Sequence, residues 1–212
     1  VDDKVRQLVA LANRIVAMIR EDPWPWSPLL AEHSFDTVAG TASYALPTDF
    51  YAFLSNTHWN RDRTTETVLC TPMEWQLRKS GLYTTGTIYQ RFRVKGRDTA
   101  KYYLDPTPTA AETLVFEYKR NTPILLGGTG TTWQQSFTTD TDTTVFSEGL
   151  IIAGIRWRWA LAKGLDSTQH YKDWLEDLEL CKARDGGNSI LSLVPRRRDI
   201  YSPNVPERDW FV

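Results

Sequence analysis

The sequence predicts an α+β fold: a helical bundle formed by the N-terminal helix and two C-terminal helices, an inserted β-sandwich or barrel-like domain, and an extended C-terminal tail. Three observations carry this expectation. Apolar residues recur at helical spacing in residues 3–21 and again from residue 147. From Phe35 to about Phe146 the period is two, in short runs broken by turn residues. Beyond residue 185 neither period continues. The predicted division is a discontinuous helical unit, 1–34 with 147–185, a β domain at 35–146 and a tail at 186–212.

In "DKVRQLVALANRIVAMIRE", Val5, Leu8, Val9, Ala12, Ile15, Val16 and Ile19 share one helical face. Asp2 or Asp3 can cap the start and Pro23 ends the run. "DPWPWSP" follows, in which prolines hold Trp24 and Trp26 in an extended corner. "TVAGTASYALP" predicts a hairpin turning at Ala39-Gly40. "PMEWQLRKSG" predicts a short helix closed by Gly81. "TIYQRFRVK" puts Ile88, Gln90, Phe92 and Val94 on one strand face and Tyr89, Arg91, Arg93 and Lys95 on the other. "KYYLDPTPTAAETLVFEYKRN" reads as a strand, a Pro-rich turn and a strand with Leu114, Phe116 and Tyr118 inward. Ser147 is placed to cap the next helix, with Phe146 and Ile151 at the spacing of a hydrophobic staple, and Gly164 closes it. A last helix opens near Asp166-Ser167, carries the stripe Tyr171, Trp174, Leu175, Leu178, Cys181, and ends before Gly186-Gly187.

At 212 residues the chain can bury a real core. A formal net charge of −1 provides no overall field toward nucleic acid or an anionic membrane, so a binding surface must be a local patch. Cys70 and Cys181 stand alone, without CxxC or Cys/His spacing, which argues against a disulfide framework or zinc site and suits a reducing compartment. No apolar run approaches the roughly 18 residues of a membrane span, and the N-terminus reads as a helix rather than a signal sequence. Nine tryptophans, and arginine as the main basic residue, favour interface chemistry, because both side chains dominate binding hot spots.

Catalytic signals are missing. His33, His58 and His170 are isolated from other ligand types. "GGTGTTW" lacks the Lys-Ser/Thr pair of a phosphate loop. Asp140 and Asp142 in "TTDTDTT" form a DxD-like pair, read as an Asp-rich hairpin turn rather than a cation site. Asp173, Glu176, Asp177 and Glu179 have the spacing of a solvated helix face. The sequence therefore predicts no catalytic residue, no metal and no cofactor. Two features are left as candidate sites. One is the row Arg91, Arg93 and Lys95, with Lys101 and Lys119 as candidates to join it, a solubilising face or an interface. The other is the tail "SLVPRRRDIYSPNVPERDWFV", whose Arg196, Arg197, Arg198, Tyr201, Trp210 and Phe211 are either part of a disordered end or the anchors of a docking segment.

The helix ending in "EDPWPW", then "TVAGTASYALPTDFYAF", then "KYYLDPTPTAAETLVFEYKRNTPI", and the closing pair "FSEGLIIAGIRWRWALAKGLDSTQHYKDWLEDLELCKA" stand in an order that resembles the head-to-tail adaptor (connector) proteins of short-tailed bacteriophages, the class that includes tail tubular protein A and the P22-type head-completion adaptor. The most specific parts are Gly40, Tyr44, Leu46, Pro47, Asp49 and Phe50, and the strand–Pro–strand pair at 101–119. The resemblance covers the chain to about residue 185. It implies a helical bundle with an inserted β domain and a ring of twelve copies below the portal protein. It further implies a channel for double-stranded DNA read without sequence recognition, retention of packaged DNA, a platform for the tail nozzle or tail tube protein, and no membrane contact. A C-terminal segment that orders on the portal is part of the same expectation. So is assembly in the host cytoplasm into the virion head–tail junction. The alternatives are a peptidoglycan-degrading cell-wall hydrolase, which needs two opposed carboxylates, and a ligand-binding β-sandwich module.

Overall fold

The structure is a computed structural model and describes residues 3–81, 90–96, 100–128 and 131–186. The expected apolar stripe forms α1 (Asp3–Glu21), which buries Ile15, Val16 and Ile19. The other end of the stripe is open, with Val5 and Leu8 42% and 44% exposed. Pro23 ends the helix, and the Trp corner leads through a single 3₁₀ turn, Ser27–Leu29, into β1 (Leu30–Asp36). There follow β2 (Ser43–Ala45), β3 (Phe50–Phe53), β4 (Trp59–Asn60), β5 (Thr65–Glu66), β6 (Val68–Leu69), α2 (Pro72–Lys79), β7 (Arg91–Lys95), β8 (Lys101–Asp105) and β9 (Thr113–Arg120). The short strands β10 (Ile124–Leu125), β11 (Trp133–Gln134) and β12 (Thr143–Thr144) precede α3 (Glu148–Ala162) and α4 (Thr168–Gly186).

The hairpin expected at Ala39-Gly40 does not form. β1 pairs antiparallel with β9 along its whole length, from Leu30 opposite Lys119 to Asp36 opposite Thr113. β2 pairs with β8 in a different sheet. The physical reason is length: the seven residues of β1 find a continuous ladder only on the eight of β9, whereas β2 has three to offer. Ala39-Gly40 is instead the crossover between sheets, with Gly40 at φ 80° and its N–H bonded to the Pro108 carbonyl at 2.9 Å.

Three sheets result: β1-β9-β4-β5 with β3 also on β9, β2-β8-β7-β6, and the small β11-β10-β12. No closed barrel forms among the described residues. The two larger sheets share one aromatic core, in which Phe92, Tyr102 and Leu104 meet Leu114, Phe116 and Tyr118. Phe92 and Tyr102 stack at 4.6 Å, and Tyr102 and Phe116 at 5.7 Å.

A second core joins the helices. α3 packs on α1 and on α4, and Ile15, Val16 and Ile19 meet Trp26, Ile124, Phe146, Leu150, Trp174 and Leu178. Gly154 sets the α1–α3 approach, because a Cβ there would lie 2.8 Å from Ile15 Cγ2. Ser147 precedes α3 but its side chain makes no capping bond, whereas α2 carries a full capping box of Thr71 and Glu74. The small sheet joins the helices through Ile124, and Asn13 of α1 exchanges two hydrogen bonds with the Phe137 backbone, at 2.7 and 3.3 Å.

The Trp corner is gripped from two sides. Asp185 of α4 accepts the Trp24 indole N–H at 3.1 Å and the Ser27 N–H at 3.0 Å. From the other side Lys119 of β9, 6% exposed, donates to the Asp22 and Trp24 carbonyls at 2.7 and 3.1 Å. Helices and sheets are thereby fastened at one place.

Candidate functional site

The row Arg91, Arg93 and Lys95 lies on β7, all three half-buried. Strand alternation turns these side chains away from Phe92 and the aromatic core, toward α2. Trp75 of α2 is 3% exposed, and the Lys95 ammonium stands 4.9 Å from its ring and 5.4 Å from that of Tyr103. The Arg93 guanidinium reaches the Pro72 carbonyl at 3.5 Å. Opposite Arg91, Asp105 accepts Arg78 at 2.5 Å and Lys79 at 2.7 Å. Burial raises the pKa of the Asp105 carboxyl, but the bonds and charges of Lys79 and Arg78 outweigh it and hold the group below its ordinary value. Lys101 pairs across from Lys95 and is exposed. Lys119 belongs to the other sheet and does not join the row, since its ammonium is spent on the corner carbonyls.

Several large hydrophobics stand exposed in the helical layer. Beside Val5 and Leu8 of α1, Ile152 and Trp159 of α3 are each 41% exposed, Leu165 54%, and Leu180 of α4 54%. Unpartnered apolar surface of this kind marks contact sites. The sequence stripe indicates Val5 and Leu8 as core; no sequence signal shows that α3 leaves them uncovered.

The polar candidates settle into structural roles. His58 is 5% exposed inside a box of Phe53, Phe92, Tyr102 and Phe116, and burial lowers its pKa from 6.5 to about 4. His33 stacks on Phe35, and His170 is exposed at the start of α4. Asp142 accepts the Thr139 hydroxyl at 2.6 Å and the N–H groups of Thr138, Thr139 and Gly127, which hold its carboxyl well below the carboxylate range and organise the hairpin loop. Sequence reading missed one buried cluster: Glu112, 7% exposed, accepts Asn60 Nδ2 at 2.6 Å, Gln90 Nε2 at 3.0 Å and the Arg63 guanidinium. These residues come from separate strands and turns, so no local spacing reveals them. Among the described residues, no group of three or more His, Cys, Asp or Glu is placed to hold a metal ion. None of the described helices is long and apolar enough to cross a membrane. The tail candidates Arg196, Arg197, Arg198, Tyr201, Trp210 and Phe211 lie outside the described residues.

Against this background of contact surfaces, the family model described as SU10 adaptor protein matches residues 1–198. The chain belongs to the SU10 adaptor family. Members of this family are phage head–tail adaptors, structural proteins of the virion that contact portal and tail components. The match runs beyond residue 185, where the sequence resemblance ends, and takes in Arg196, Arg197 and Arg198 but not Tyr201, Trp210 or Phe211. No curated protein matches the chain.

Proposed function

We propose that this SU10 adaptor works by ring formation rather than by chemistry. The most direct support is the family match over residues 1–198, to which the uncovered apolar face of α1 and α3 adds a surface that an assembled state would bury. In this reading about twelve copies form a ring below the portal, extend the DNA channel, help retain packaged DNA and offer a platform to the tail nozzle or tail tube. DNA passes without sequence recognition, and no residue of the chain acts catalytically. The helices, residues 1–34 with 147–185, form the assembling unit, and residues 35–146 form an inserted sandwich-like domain directed at the tail. The segment 192–212, within the tail 186–212, docks on the portal: Arg196, Arg197 and Arg198 meet acidic groups, Trp210 and Phe211 fill an apolar pocket, and Tyr201 belongs to the same docking segment. The row Arg91, Arg93 and Lys95 contributes to the contact surface of the β domain.

The test is particle mass with and without purified portal protein. A defined multimer on the portal is the expected outcome; a chain that stays monomeric in both samples refutes the ring. Removing residues 190–212 should abolish portal binding, and unchanged binding would refute tail docking.

A further inference from the structure

A ring needs a surface on one copy that fits a different surface on the next, and the helical layer carries such a pair. The first member is a groove of about 530 Å³ lined by Leu8, Ile155, Trp159, Ala160 and Leu165, with Arg156 at the same site. Lys163 adds a second cation, 6.0 Å from the Trp159 ring. The carboxylate in the lining, Asp166, is engaged by the Thr168 N–H at 3.0 Å. His170 completes the wall. The groove is thus apolar, and the cations Arg156 and Lys163 outnumber the one carboxylate in its lining, which the Thr168 bond holds ionised.

The second member is the outer side of α4. Trp174 and Leu178 are its buried residues, so the helical period turns Glu176 and Glu179 away from the core. Both are exposed, and Leu180 beside them is 54% exposed. A leucine flanked by carboxylates therefore protrudes where the groove offers an apolar slot flanked by cations. Neither Arg156 nor Glu176 has an ionic or hydrogen-bonding partner among the described residues, whereas Glu179 lies 3.4 Å from the Lys182 ammonium, a contact it would share with the neighbouring copy.

We propose that Leu180 of one copy seats in the groove of the next, with Glu176 and Glu179 meeting Arg156 and Lys163. The occupant is a second copy because both halves lie on one chain and are opposite in charge and shape. A contact between two different patches is heterologous, the type that closes into a ring when the rotation allows. The proposal rests on the ring reading and names the surface that serves it.

The experiment uses the full chain and two double variants at exposed positions, Glu176→Arg with Glu179→Arg and Arg156→Glu with Lys163→Glu. Sedimentation measures association against concentration and salt. Wild type should self-associate at low salt and less so toward 1 M, where the screening length falls to about 3 Å. Each variant alone should associate roughly tenfold more weakly or worse, since like charges then face each other. An equal mixture of the two should recover association, because each supplies the complement the other lost. Three results overturn the proposal: a monomeric wild type, variants that associate like wild type, or a mixture that recovers nothing. If wild type associates and the variants do too, this contact falls and the ring reading stands. If wild type is monomeric alone and on the portal, both fall.

Discussion

Gly154 is a position where one missing carbon decides a helix contact. Its hydrogen faces Ile15, and a methyl group would come within 2.8–3.0 Å of three Ile15 carbons. Gly154→Ala should lower stability by about 1–3 kcal/mol despite the better helix propensity of alanine, read by thermal or denaturant unfolding; a more stable variant would show that Ile15 yields freely. His58 makes a pH-dependent case. Its pKa falls from 6.5 to about 4 on folding, so the unfolded chain takes up the proton first as pH drops. The stability present above pH 6.5 is therefore lost as pH falls through the window to 4, about 3 kcal/mol in full. His58→Phe should flatten that slope in denaturant titrations at pH 7.5 and 4.5. The isolation of His58 from other ligands is legible in sequence. Its aromatic box is not, because Phe53, Phe92, Tyr102 and Phe116 come from four strands.

Among the elements, helices were readable and strand partners were not. The boundaries of α1 follow from its stripe and Pro23, and α2 and α3 are closed by Gly81 and Gly164, each at positive φ. Such signals are local. Pairing of β1 with β9 joins residues some eighty positions apart and depends on matched length and burial, which no turn motif encodes. The basic row shows the same limit: alternation correctly sets Arg91, Arg93 and Lys95 opposite Phe92, but the pattern does not reveal that α2 lies across that face. α2 is held there by its cap as well as by Trp75. Thr71→Ala should cost about 1 kcal/mol and speed amide exchange within Pro72–Lys79 more than elsewhere. Uniform exchange across the chain would show that the cap does not control this helix.

For the whole molecule, the α+β class was legible because the period switches twice along the chain. What the period could not show is how much of the helical stripe goes uncovered. A stripe read from sequence has no length of partner attached, and α3 covers Ile15 and Ile19 while Val5 and Leu8 remain open. The adaptor resemblance in the sequence rests on the order of several short motifs, and the family match runs over residues 1–198, so both are properties of the whole chain rather than of any residue. At this scale the prediction is assembly: burying the open face should make Leu8→Asp reduce multimer formation on the portal while leaving the monomer's unfolding midpoint nearly unchanged, because Leu8 is already 44% in water. A large fall in midpoint would instead mark Leu8 as core.

The Trp corner has a mechanical consequence. Asp185, the penultimate residue of α4, is bonded to Trp24 and Ser27, and Lys182 reaches Asp22 at 3.0 Å. On the far side of the same short stretch stands Lys119 of β9. Tension applied to the chain after Gly186 is therefore not spent peeling α4 turn by turn. It is loaded sideways onto several bonds at once and passed through the corner to Lys119 and so into β9 of the five-stranded sheet.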